Sequence, residues 1–208
     1  MSALDRLPPT AREQVTDALA ALETSDTPLA ADAYPALYDP ALRAHVAREL
    51  DVVGRVLLER GGTYLSGYAD DVADELASAG IGQLDETDRA VLTLVLLHAV
   101  AIPRARGQAE GDSWLDAIEF DPDRLSQQWS NPHLTKKAIR TSLRNLRDAG
   151  VLRRGHRSAV VPGPQFQRLT DARNELLWSN LVLLAAPDSL LAAAIRRRPA
   201  TATGAATR

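Results

Sequence analysis

A chain of 208 residues, 45% apolar and 25% charged, has room for one large or two small globular domains, and its composition excludes a disordered or fibrous chain. A net charge of −3 excludes whole-molecule attraction to nucleic acid, so any such contact must be a local patch. The absence of cysteine excludes disulfides, thiolate metal sites and cysteine nucleophiles.

The first element is expected from Thr10, read as an N-cap with Glu13 three positions on, to about Leu22, with Val15, Leu19 and Leu22 as the apolar stripe. The stretch from Thr24 to Pro35 reads as a connector. Asp39-Pro40 starts a helix by the N-cap and proline-at-N1 rule, and its buried face is Leu42, Val46, Leu50 and Val53. It stops near Gly54. Val56-Leu57-Leu58 and Thr63-Tyr64-Leu65 are β-compatible runs around Gly61-Gly62, a hairpin turn. Asp70 to Ala79 is a short acidic helix with Val72 and Leu76 inward, closed by Gly80-Ile81-Gly82.

Asp85 caps the next helix, with Glu86 and Asp88 in its first turn, where the helix dipole favours acids. From Ala90 to Ala101 it is apolar nearly all round, so it should be a central buried helix ended by Pro103. Arg104 to Ser113 looks like a flexible loop, and Trp114 to Phe120 is an apolar piece of uncertain type. Asp121-Pro122 starts a helix through Trp129, followed by a turn to Thr135, the expected cap of the next helix. The most apolar run, Ala90 to Ile102, is shorter than a membrane span, and the N-terminus lacks a signal-peptide core. A cytoplasmic protein without membrane contact is expected.

The most concentrated signal runs from Asn131 to Val161. Ile139, Leu143 and Leu146 mark one buried helix face, while Lys136, Lys137, Arg140, Arg144 and Arg147 fall mostly on the opposite face. Ala149-Gly150 ends the helix. Val151-Leu152 and Ala159-Val160-Val161 then flank a basic tip, Arg153-Arg154-Gly155-His156-Arg157. Lys136 to Arg157 carries eight Lys/Arg and one acid, Asp148, a net +7, which leaves −10 for everything else. A basic helix followed by a basic ribbon is the working end of a winged helix.

Beyond Pro162-Gly163-Pro164, a rigid exit, Thr170 to Ala185 is a helix carrying Leu176, Leu177, Trp178, Leu181 and Leu184. Pro187-Asp188 caps a last helix, Leu190 to Arg198, before a low-complexity tail. The long apolar helix, the face of the Thr170 helix, and Trp114, Trp129 and Trp178 exceed what one small winged helix buries. They suit a core between domains or a homodimer surface equally.

The chain is therefore expected to be mostly α with short β-hairpins, as tandem winged-helix domains. The boundaries are 1–82 (with the leading helix), 83–164 (with the basic helix and wing), 165–198 for C-terminal helices, and 199–208 for a disordered tail. No catalytic constellation is present. His45, His98, His133 and His156 sit in no ligand spacing, Gly80-Ile81-Gly82 lacks the third glycine of a dinucleotide fingerprint, and no phosphate loop occurs. No enzyme activity, cofactor or metal is expected. The candidate DNA-binding residues are Lys136, Lys137, Arg140, Arg144, Arg147, Arg153, Arg154 and Arg157. Arg153, Arg154 and Arg157 would reach phosphates or the minor groove, and Lys136, Lys137 and Arg140 the groove edge. Asn145 is the only amide within the helix, which favours backbone contact over base reading. A solvated face whose arginine stems cover apolar surface would carry the same residues.

Asp39 to Tyr68 (DPALRAHVARELDVVGRVLLERGGTYLSGY), Leu84 to His98 (LDETDRAVLTLVLLH) and the Thr135 to Val161 unit together resemble the kite subunits of SMC-type complexes. They are most similar to the MukE-like proteins of bacterial condensins and of Wadjet anti-plasmid systems. The resemblance spans most of residues 39–161 but contains no residue-level signature. It implies a non-catalytic homodimeric adaptor, nucleoid-associated, that binds a kleisin-like subunit and bridges it to double-stranded DNA and to an SMC-like ATPase. That ATPase would hydrolyse the ATP. The alternative is a stand-alone winged-helix transcriptional regulator binding DNA as a dimer. A third class is a protein-interaction module without a DNA role.

Overall fold

The computed structural model describes residues 3–108, 114, 117–124 and 134–197. Two compact units divide the chain. Unit 1 is Met1–Asp85 with Asp148–Val151 and Gly163–Arg173, and unit 2 is Glu86–Arg147 with Leu152–Pro162 and Asn174–Arg208. The Asp121–Trp129 helix lies mostly outside the described residues, as do Trp129, His133 and the tail from 198.

In unit 1, α1 (Pro9–Thr24) starts one residue before Thr10. Proline at N1 has its φ preset for a helix and no N–H to lose, so Thr10 falls inside the first turn and caps nothing. The connector holds a two-residue strand, β1 (Leu29–Ala30), and a short helix, α2 (Pro35–Tyr38), neither visible as periodicity. Its Ala36 and Leu37 are wholly buried. α3 (Pro40–Val52) is capped as expected, with Asp39 Oδ1 accepting from Ala41 N at 2.7 Å and Leu42 N at 3.3 Å. Val53, however, is 64% exposed, because the helix ends before it and Gly54 turns the chain through φ +71°.

β2 (Arg55–Arg60) and β3 (Thr63–Tyr68) form the hairpin. Gly61 and Gly62 are both at positive φ, the requirement of a type I′ turn that glycine meets without strain. Leu58 faces Leu65 across it, and β1 pairs with the far side of β3 through Leu29–Tyr64, giving the sheet order β1-β3-β2. The core packs Val15, Ala18, Leu22, Leu37, Val46, Leu50 and Tyr64 together. Helix α4 (Asp70–Ser78) is amphipathic, with Val72 and Leu76 half-buried. The succession α1-β1-α2-α3-β2-β3, with the first strand paired to the third, is that of a winged helix.

A later segment closes unit 1. Pro164–Arg168 is a tight turn that lays Arg168 on β3. The Arg168 guanidinium donates to the carbonyl oxygens of Ser66 (2.7 Å) and Ser25 and to Ser66 Oγ at 3.3 Å. Ser66 itself is 1% exposed, and its hydroxyl also receives Arg55 Nη1 at 3.0 Å. Arg60 pairs with Asp171 at 2.9 Å, and Arg173 pairs with Asp70 and Asp74.

Among its described residues, unit 2 repeats the leading helix, the edge pairing, the helix before the hairpin and the hairpin of that succession. Helix α5 (Glu86–Leu96) passes through a π turn at Leu97–Ala101 into α6 (Ile102–Ala105). Pro103 thus does not end the helix. A proline has no N–H for the carbonyl four residues back, and that carbonyl, Ala99 O, instead accepts from Ile118 N at 2.8 Å. Val91, Val95, Leu96, Ala99 and Val100 are buried as the apolar run implies. Phe120 is bridged to Val160 in both directions (3.0 and 2.8 Å), the counterpart of the β1–β3 pairing. Then come α7 (Lys136–Asp148), β4 (Leu152–Arg154) and β5 (Val160–Pro162), the last two antiparallel.

Helix α8 (Asp171–Ala185) is followed by α9 (Leu190–Arg197), which Ser189 caps instead of Asp188, its Oγ accepting from Ala192 N at 3.1 Å. Within unit 2, Trp114 is buried, stacks on Trp178 at 5.4 Å and donates to Asn174 Oδ1 at 2.6 Å. Leu181 is buried, but Leu176, Leu184, Leu190 and Leu191 are exposed. The protein is mostly α-helical with short antiparallel hairpins in tandem winged-helix units. No described helix is long and apolar enough to cross a membrane.

Candidate nucleic-acid interface

Helix α7 opens at Thr135, whose Oγ1 accepts from Ala138 N at 3.2 Å. Ile139, Leu143 and Leu146 are at most 4% exposed and set its rotation. At about 100° per residue, the five cations of α7 fall within an arc of roughly 100°. That arc lies beside the buried stripe and not squarely opposite it. Lys136, Lys137, Arg140 and Arg144 are exposed. Arg147, in the last turn, is half-buried, and its Nε has no hydrogen-bond partner among the described residues. Burial first, and the positive charge of Arg154 second, push its pKa down. Arg147 therefore belongs to the seam between helix and ribbon, unlike the four outward cations.

Arg153 and Arg154 lie on β4, opposite Val161 and Val160, and both are exposed. The turn proper is Gly155–Ala159, closed by Gly155 N to Ala159 O and Ala159 N to His156 O, each 2.9 Å. Arg157 (φ 48°, ψ 42°) and Ser158 (φ 77°) both take left-handed backbone. For non-glycine residues that costs about 1–2 kcal/mol each. Part of the compensation is Glu119, whose Oε1 accepts from His156 N at 2.8 Å. Gly155 lies so close to this carboxylate that a Cβ there would stand 2.9 Å from Oε1. Glu119 was not evident from sequence, because it acts on the ribbon from the irregular piece before Phe120.

Among the described residues, Lys136, Lys137, Arg140, Arg144, Arg153, Arg154 and Arg157 have no ion pair or side-chain hydrogen bond. Three arginines of unit 1 do form ion pairs: Arg55 with Glu23, Arg60 with Asp171, and Arg173 with Asp70 and Asp74. Lys136 and Lys137 also sit at the N-terminal end of their helix, the end that repels cations. Neither feature contributes to the internal stability of the unit. Asn145 donates to Asp88 Oδ2 at 3.2 Å, and Asp88 is 6% exposed. The one amide of α7 thus serves the packing of α7 on α5, and Asp88 has a structural role beyond favouring the helix dipole.

No family model matches the sequence, and no curated protein matches it. Among solved structures, the chain is similar to the crystal structure of ScpB from Mycobacterium tuberculosis. That alignment covers 82% of this chain and 98% of the other, at 19% identity and a TM-score of 0.26. A superposition this loose carries no weight, and the winged-helix assignment rests on the order and pairing of the chain's own elements.

Proposed function

We propose that the protein is a non-catalytic, kite-type adaptor of an SMC-like complex, joining a kleisin-like partner and an SMC-like ATPase to double-stranded DNA. The observation that carries this reading is the pairing of two winged-helix successions in one chain with a cationic, internally unpaired surface on the second alone. Lys136, Lys137, Arg140, Arg144, Arg153, Arg154 and Arg157 are the proposed phosphate contacts, and Arg147 supports them from the seam. With Asn145 engaged by Asp88, phosphate contact is favoured over base reading, and so an adaptor over an operator-binding regulator. The exposed leucines of α8 and α9 suit a homodimer, and the nucleoid is the expected location.

Seven phosphate contacts would give log K against log salt a slope of about −6, or roughly 10³–10⁴-fold weaker binding from about 50 to 200 mM salt. Fluorescence anisotropy on a random-sequence duplex measures this. Replacing Arg144, Arg153, Arg154 and Arg157 together by Glu should abolish binding and leave the helical circular dichroism intact. Unchanged affinity would remove DNA from the proposal. Purification from native lysate should recover a kleisin-like chain and a long coiled-coil ATPase; recovery of the protein alone refutes the adaptor assignment. Preference for a single promoter far above random DNA would instead identify a regulator.

A further inference from the structure

Unit 2 contains a cavity of about 350 Å³ lined by His98, Ile102, Pro103, Arg106, Gln108, Ile118, Glu119, Phe120 and Arg124. That volume lies within the range of small-molecule sites, roughly 300–1,000 Å³. Pro103 and Phe120 in its lining are buried and Ile102 is half-buried, and the buried His98 Nε2 has no hydrogen-bond partner among the described residues. The His98 ring stacks on Phe120 at 5.1 Å and 14°. Burial, and then the charge of Arg106, hold the His98 pKa below its ordinary value, so this ring is neutral near pH 7. At the rim stand Arg106, Gln108 and Arg124, all exposed. Neither guanidinium has an ion pair or side-chain hydrogen bond among the described residues. The remaining charged group, Glu119, is committed to the wing through His156 N.

The cavity is also preformed. The π turn that carries His98 departs from α-helical geometry, as helices often do at functional sites. The opposite wall, Ile118 to Phe120, is fixed at both ends, by Ile118 N on Ala99 O and by the two Phe120–Val160 hydrogen bonds. Two unpaired guanidiniums over an apolar floor match a ligand with a flat apolar body and one anionic end. The floor takes the body, and the arginines take the anion in charge-assisted hydrogen bonds.

We propose that this cavity is a binding site for a small aromatic or otherwise flat organic carboxylate, with Arg106 and Arg124 as its anion-binding pair. The site does not depend on the DNA reading, since it uses none of the α7 or β4 cations.

The test titrates the full chain with cinnamate, its uncharged analogue cinnamamide, and inorganic phosphate, read by calorimetry and thermal unfolding. Cinnamate is expected to bind saturably, one per chain, and to raise the melting temperature; cinnamamide and phosphate should do neither. Arg106→Ala with Arg124→Ala, both at exposed positions, should weaken cinnamate about tenfold or more, as loss of charge-assisted contacts does. Ile118→Trp, which fills the cavity without touching charge, should also remove binding. Arg140→Ala with Arg144→Ala should leave it unchanged. Absence of saturable cinnamate binding would overturn the proposal. So would equal binding of cinnamamide, or full affinity in the Arg106/Arg124 double variant.

Discussion

Gly67→Ala tests the segment that closes unit 1. Gly67 sits on β3 opposite Val56, and its φ is not among the positive ones, so alanine is compatible with the backbone. In an uncovered strand the change would be neutral or would stabilise by about 0.4–1 kcal/mol, through a less flexible unfolded chain. Here, however, a Cβ would overlap the carbonyl oxygen of Arg168 and lie 2.8 Å from Leu58 Cδ1. If the strand yields, overpacking costs about 1–3 kcal/mol. If the Arg168 segment lifts instead, its charged hydrogen bonds to Ser66 O and Ser25 O are lost, at about 1.5–3 kcal/mol each before re-solvation offsets part of it. After the unfolded-state gain of about 0.4–1 kcal/mol, the first route leaves a net loss of up to about 2.5 kcal/mol and the second about 2–5.5 kcal/mol before re-solvation. Urea unfolding followed by circular dichroism gives the free energy, and the rate of trypsin cleavage after Arg168 reports whether the segment has lifted. A variant as stable as the parent, with cleavage at Arg168 unchanged, would mean that the segment does not rest on β3.

Three further substitutions probe separate features. Leu143→Ala, at 4% exposure on the buried face of α7, should cost about 2–5 kcal/mol in chemical denaturation. Asp39→Ala removes the acceptor of two backbone N–H groups and should cost about 0.5–2 kcal/mol, whereas Asp39→Asn should retain most of the cap. His98 is held below its unfolded pKa of about 6.5. The unfolded chain therefore takes up this proton first as pH falls, so the His98 contribution is complete above about pH 6.5 and fades as pH drops toward the folded value. His98→Phe should flatten the dependence of melting temperature on pH below about 6.5, and an unaltered slope would show that His98 is not the group responsible.

The elements legible in the sequence are those whose cause is local. Asp39-Pro40 carries its own cap, Gly61-Gly62 its own turn, and the Ile139-Leu143-Leu146 spacing its own buried face. Where tertiary contact decides, the sequence was silent or misleading. Pro103 reads as a helix end because its missing N–H is local information. The N–H that Ile118, nineteen residues from Ala99, donates to the freed Ala99 carbonyl is not. Helix α2 has only four residues, too few to show a period, and is held by the burial of Ala36 and Leu37. The candidate interface was legible as a charge cluster. The half-burial of Arg147 and the hold of Glu119 on the wing depend on contacts across the unit, and no spacing rule encodes them.

The two units share one succession of elements but differ in what occupies equivalent positions. Helix α3 in unit 1 and α7 in unit 2 each precede the hairpin, where a winged helix presents its surface. α3 carries Arg43 and Arg48 against Glu49 and Asp51. α7 carries five cations against Asp148. The unit 1 hairpin turns on two glycines, whereas the unit 2 ribbon carries Arg153, Arg154 and Arg157. The side chains exposed at the two ends of α3 include apolar Tyr38, Val52 and Val53. Desolvating such groups against a protein is favourable, while against a phosphate backbone they contribute nothing. A duplicated fold with one cationic and one neutral, apolar-edged surface is thus suited to two partners of different chemistry. The −10 carried outside Lys136–Arg157 sharpens that contrast, because its net sign disfavours a polyanion while the α7–wing cations attract one.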